Sequence, residues 1–137
     1  MFRTIRIKRG LDIPIGGAPE QSIHDGPAVS HVAVDGRDYN GLKPKLLVKP
    51  GDQVTLGQPL FVDKRDPAVP YTAPGSGTVV AVKRGARRVL ESIEIELCGE
   101  KQSALAFEPI SDAGIDRVDR AVLVGRLLQS GLWTAFR

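Results

Sequence analysis

Between Val48 and Val89 the chain states nearly the same phrase twice. Val48-Lys49-Pro50-Gly51-Asp52-Gln53-Val54 returns, one residue longer, as Val82-Lys83-Arg84-Gly85-Ala86-Arg87-Arg88-Val89. Each copy reads as a short apolar strand, a tight polar turn at a glycine, and a second apolar strand. Between the copies lie two further apolar stretches, Gly57-Gln58-Pro59-Leu60-Phe61-Val62 and Tyr71-Thr72-Ala73-Pro74-Gly75-Ser76-Gly77-Thr78-Val79. Two such halves related by a pseudo-twofold axis give a small flattened β-barrel. Composition agrees: 15 glycines and 10 prolines with only 5% aromatic residues favour many short strands and turns over long helices. The chain of 137 residues suits one compact domain, or a domain plus an appendage, a size that buries about two-thirds of its unfolded surface.

The rest of the chain divides around this core. Residues 1–43 read as an N-terminal strand and arm, 44–99 as the barrel, and 100–137 as a connector and helix. Thr4-Ile5-Arg6-Ile7-Lys8 alternates as a first strand, and Gly10 to Glu20 is an irregular arm punctuated by glycine and proline. Ser30 to Val34 alternates again and closes on the Asp35-Gly36 turn signal. Lys45 to Val48 opens the barrel, and Val89 to Leu97 alternates apolar and acidic residues as a strand with one solvated face. Asp116 to Gln129 carries an apolar stripe of Val118, Ala121, Val122, Val124 (or Leu123), Leu127 and Leu128 at helical spacing. Asp112 or Asp116 is the expected N-cap, and Gly131 the expected stop. The fold class is therefore mainly β with a C-terminal helix (α+β). The close on Trp133 and Phe136 reads as a cut, since a natural terminus is more often polar and frayed.

Several chemistries are disfavoured. A net charge of +3 is too mild for a nucleic-acid face. One cysteine, Cys98, allows no internal disulfide, suits a reducing compartment and reads as a strand-end thiol. His24 and His31 with that single cysteine cannot assemble a zinc site or an iron–sulfur cluster, so no metal site is expected. Gly75-Ser76-Gly77 lacks the third glycine and following helix of a dinucleotide fingerprint. Met1 to Lys8 is basic but leads into no apolar segment, so no targeting signal is expected. No apolar run approaches the roughly 20 residues that cross a bilayer.

The phrases G-D-x-V-x-x-G-Q-x-L (Gly51 to Leu60) and A-P-x-S-G-x-V (Ala73 to Val79) resemble the biotinyl/lipoyl carrier family. This implies a barrel-sandwich hybrid with an irregular N-terminal arm. In carriers a lysine is modified at the apex of the hairpin between the phrases. Here the midpoint from Leu60 to Ala73 falls at Asp66-Pro67, which puts Arg65-Asp66-Pro67-Ala68 at the apex and Lys64 before it. No covalent modification is therefore expected, and Lys64 reads as a rim charge.

A second resemblance spans nearly the whole chain. It rests on Lys8-Arg9-Gly10-Leu11-Asp12-Ile13-Pro14-Ile15-Gly16-Gly17, Leu60 to Pro67, Tyr71-Thr72-Ala73-Pro74, Arg84 to Ser92, and Ser130-Gly131-Leu132-Trp133-Thr134-Ala135. Together, in this order, they resemble the amino-terminal part of the A subunit of sodium-translocating NADH:quinone oxidoreductases. A more distant likeness is to the C subunit of the Rnf electron-transport complex.

The resemblance implies a peripheral subunit on the cytoplasmic face of the bacterial inner membrane. Its complex would pass electrons from NADH through flavins and iron centres in partner subunits to ubiquinone, and export sodium. This chain would bind no cofactor and would not be catalytic alone. Ser76-Gly77-Thr78 does not match the Ser-Gly-Ala-Thr phrase that carries covalent flavin in other subunits. For a quinone site, Tyr39 is the candidate donor, with Trp133 and Phe136 as candidate slot walls. Their structural roles would be a loop anchor for Tyr39 and, for the two others, docking against the remainder of the subunit. Lys83, Arg84, Arg87 and Arg88 form a basic hairpin, either merely solvated or facing a partner subunit or acidic lipid. A carrier domain and a purely structural docking module remain the alternatives.

Overall fold

The computed structural model describes Gly10, residues 16–99, 103–111, 114 and 117–136. The strand expected at Thr4–Lys8 and the caps expected at Asp112 and Asp116 lie outside the described residues.

Among the described residues seven strands form two antiparallel sheets. β1 (His31–Asp35), β3 (Gln53–Val54), β6 (Gly77–Arg84) and β7 (Leu90–Leu97) make one sheet in the order β1-β7-β6-β3. β2 (Pro44–Leu46), β4 (Pro59–Asp63) and β5 (Asp66–Thr72) make the other, in the order β2-β4-β5. β1 pairs with β7 along its full length, from His31↔Glu96 to Asp35↔Ser92, so the sheet reaches back into the 1–43 segment.

The alternation read in the sequence decides which side chains go inward. Leu90, Ile93 and Ile95 of β7 are buried, while the glutamates between them face outward or lie half-buried. With Val79 of β6, Val54 of β3, and Leu60 and Phe61 of β4, they fill one apolar core between the sheets. Leu60 and Phe61 are consecutive yet both fully buried, because the pairing of β4 with β5 shifts register between Pro59 and Phe61. At Gly77 the carbonyl of Glu96 occupies the space a side chain would need, which holds β6 against β7.

The two repeated phrases have different fates. The second is a hairpin within one sheet, β6 to β7. In the first, the chain crosses from one sheet to the other, since β2 pairs with β4 while β3 pairs with β6. The turn between them closes on Gly51, whose φ of 93° suits glycine, and Asp52 Oδ2 accepts from the Lys49 amide.

After β7 the connector runs along the loop before β4. Ala104 bridges Leu56, and the Leu105 amide donates to the Leu56 carbonyl. The helix is shorter than the periodicity suggests: α1 spans Arg120–Gln129 and is capped by Asp119, whose Oδ1 accepts from the Ala121 amide at 2.7 Å. Gly131 ends it in the left-handed conformation, packed on the Thr72 side chain of β5. Of the expected stripe, Val118, Val124, Leu127 and Leu128 are half-buried, whereas Ala121, Val122 and Leu123 are exposed.

Candidate functional site

Three loops meet at one end of the two-sheet core. The first is the turn of the β4–β5 hairpin, where Asp63 pairs with Asp66 and Lys64-Arg65 are the two turn residues. This corrects the apex expected at Arg65 to Ala68. The register shift between Val62 and Asp63 leaves extra residues on β5, so the true turn precedes the numerical midpoint. Lys64 is therefore at the tip. Arg65 is folded back: its Nη2 donates to Asp63 Oδ2 at 2.7 Å and to the Gly41 carbonyl at 2.7 Å. The Asp63 carboxylate also accepts from the Arg65 amide, and these hydrogen bonds hold its pKa down to about 2. The Lys64 amide donates to the Lys43 carbonyl, which ties the tip to the start of β2.

The second loop, residues 36–42, carries Tyr39. Asp35 starts it by accepting from the Arg37 amide at 2.9 Å and pairing with the Arg37 guanidinium, which holds the Asp35 carboxyl below its usual range. The Tyr39 ring stands edge-on to Tyr71 at 4.5 Å and to Phe61 at 6.2 Å, while Phe61 and Tyr71 stack at 4.6 Å. Burial first, then the charge of Asp38, raises the Tyr39 pKa, so its phenol stays protonated at neutral pH. This aromatic trio anchors the loop on the core.

The third loop is the β6–β7 turn. Arg87 and Arg88 both have positive φ, 56° and 61°, a conformation side chains seldom adopt. The Gly85 amide donating to the Val89 carbonyl closes the loop around them.

These loops border a groove of about 680 Å³. Its cations are Lys43, Lys45, Lys64, Arg84, Arg87 and Arg88, and its apolar strip is Leu42, Pro44, Leu46 and Val89. A smaller groove of about 300 Å³ beside Tyr39 shares Leu42, Pro44 and Val89 with it. The groove beside Tyr39 thus borders the one lined by Arg84, Arg87 and Arg88. Lys83 does not join them: it is paired with Glu94 and lowers the pKa of that carboxyl.

Trp133 and Phe136 lie elsewhere. Tyr71 turns toward Tyr39 on the core side of β5, whereas its neighbour Thr72 turns toward Gly131 on the other side. The segment that carries both aromatics is therefore across the sheet from Tyr39. On that side the end of α1 and the connector enclose an apolar trough of about 410 Å³, lined among others by Pro59, Pro70, Leu105, Phe107 and Leu128. Trp133 is 37% and Phe136 63% exposed. Sequence patterns alone point neither to Lys43 and Lys45 nor to the trough. Lys43-Pro44-Lys45, cations flanking a proline ahead of an apolar run, is the available signal for the former. Nothing local signals a trough assembled from β4, β5, connector and helix.

Among the described residues no group of three or more His, Cys, Asp and Glu could hold a metal ion. No helix among them is long and apolar enough to cross a membrane.

Residues 5–98, the span that ends with β7, match the family described as the NqrA N-terminal barrel-sandwich hybrid domain. The chain belongs to this family. It is similar over nearly its whole length to proteins named as the A subunit of Na(+)-translocating NADH-quinone reductase. That of Saccharophagus degradans is 53% identical over 133 residues, covering 97% of the chain and 29% of that protein. That of Shewanella amazonensis is 48% identical with 97% and 30% covered, and that of Rhodopirellula baltica 49% with 96% and 29%. The chain thus spans about three-tenths of the length of these relatives. Similarity to these relatives runs beyond the NqrA N-terminal domain itself into the connector and α1.

Proposed function

We propose that the chain is the amino-terminal part of the A subunit of a sodium-translocating NADH-quinone reductase, where it contributes to quinone interaction and to assembly. The observation that carries this is 53% identity across 97% of the chain to a protein of that name. On this reading it is peripheral to the bacterial inner membrane on the cytoplasmic face, with flavins and iron centres in partner subunits and ubiquinone as the complex's substrate. It binds no cofactor of its own and is not catalytic alone.

For the quinone, the trough supports the reading best. Its volume of about 410 Å³ falls within the roughly 300–1,000 Å³ of small-molecule sites, and its lining is mostly apolar, as ring and tail require. Trp133 follows the last turn of α1, which lines the trough, and serves as the reporter. Titration with a short-tailed ubiquinone, corrected with free tryptophan, is expected to give saturable quenching in the micromolar range, about 8 kcal/mol of binding. Phe107→Ala should weaken it, and Tyr39→Phe, which keeps the ring, should leave it unchanged. Loss in Tyr39→Phe alone would move the quinone donor to the Tyr39 loop. No saturable quenching would make the chain a docking module.

The position of Lys64 at the hairpin tip also favours a second reading, a carrier of the biotinyl/lipoyl kind. An intact mass of the natively expressed protein tests it: an adduct on Lys64 supports the carrier, and an unmodified mass removes it.

A further inference from the structure

The groove at the loop end has a charge distribution that quinone interaction does not call on. Lys43, Lys45, Lys64, Arg84, Arg87 and Arg88 come from three separate segments, yet all line one concavity. Among the described residues none of the six is in an ion pair; the arginines and lysine that are paired, Arg37, Arg65 and Lys83, do not line it. No carboxylate among the described residues lines it either. The whole chain carries a net charge of only +3, so without these six it would be net acidic. Six of the chain's 19 lysines and arginines thus line this one concavity.

We propose that this groove docks the chain on an anionic phospholipid surface, with headgroup phosphates between the six cations. The apolar strip beside them, with Val89 at 55% exposure on the hairpin tip, suits the glycerol region below the headgroups. The single sign of the lining favours lipid over an acidic protein. A protein partner needs a pattern of opposite and like charges to fix its register, and the described lining supplies none. A bilayer surface needs only attraction, to which each Lys or Arg near it contributes about a fivefold gain in partition. This inference rests on the chain's own charges and stands apart from the quinone reading.

The test is co-sedimentation of the chain with vesicles of equal parts phosphatidylglycerol and phosphatidylcholine, against phosphatidylcholine alone. Binding to the first only, weakening as salt rises, is expected. Arg87→Gln/Arg88→Gln should lower partition by about thirtyfold, from about fivefold per cation. Arg117→Gln/Arg120→Gln, which removes the same charge outside the groove, should change it less than about twofold on the same scale. Lys43→Gln/Lys64→Gln repeats the test without touching the left-handed residues, and circular dichroism confirms that each variant is folded. Equal losses in the groove and control variants would overturn the proposal, as would binding to phosphatidylcholine alone or no binding. Displacement by inorganic phosphate at constant ionic strength would assign the groove to free phosphate. Groove-dependent binding to polyglutamate without vesicle binding would assign it to an acidic protein. Either overturns the lipid assignment.

Discussion

Single residues set the loop end. Asp63 takes two tasks in one position: it closes β4 and it clasps Arg65, whose guanidinium reaches on to the Gly41 carbonyl. That leaves Lys64 alone to project from the tip. The Asp63 carboxyl is held at about 2, below its ordinary 3.8, chiefly by the Arg65 side-chain hydrogen bonds. A lowered folded-state pKa means stability that is fully present above the unfolded value and lost as the pH falls through the folded one. Unfolding measured from about pH 4 down to about pH 2 should therefore show this loss. By NMR the Asp63 carboxyl should titrate near 2, and Arg65→Gln should return it toward 3.8. Asp-Lys-Arg-Asp reads in the sequence as a run of charges, and which arginine folds back onto which aspartate is not legible there. A counted midpoint misplaces the turn because it assumes equal strands, and β4 and β5 are unequal by their bulges.

At the scale of elements, α1 depends on its ends. It buries no residue fully, so its two caps matter more than they would for a core helix. Asp119→Ala removes the acceptor for the Ala121 amide and is expected to cost about 1 kcal/mol. Gly131→Ala forces an alanine into φ of 75° against Thr72 and should cost about 1–2 kcal/mol. In both variants the helical circular-dichroism signal should melt ahead of the sheet signal; coincident melting would show that helix and sheets unfold as one unit. The helix is legible from its period, but its start is not. Several acidic residues precede it, and only the backbone geometry selects Asp119 from among them. Val122 and Leu123 fall within the apolar stripe yet stay exposed, because period alone does not say how wide a face the sheet covers.

For the whole molecule, stability resides between the sheets. Phe61 is fully buried, stacked on Tyr71 and flanked by Tyr39, so Phe61→Ala should cost about 3–5 kcal/mol in denaturant unfolding. It should also loosen the Tyr39 loop and with it the edge of the basic groove, since Tyr39 is anchored on Phe61. Val122→Ala, on the exposed side of α1, should stay within about 0.5 kcal/mol. The core thereby supports the surface end that carries the charge.

Local chemistry by itself determined most of the strands. Alternation placed β1 and β7, and the Gly-Asp and Gly-Gln phrases marked turns, because side-chain period and turn preference act over a few neighbouring residues. The barrel-sandwich fold itself followed from the resemblance of those phrases to carrier domains. Tertiary structure alone decided how those pieces were used. It sent one copy of the repeat across the two sheets and folded the other as a hairpin. It put Tyr39 on the core side and Trp133 across β5 from it, and it gathered Lys43, Lys45 and Lys64 beside Arg84, Arg87 and Arg88. These outcomes depend on register and bulges between strands far apart in the chain. Those are settled by packing against a common core, which no local stretch of residues encodes.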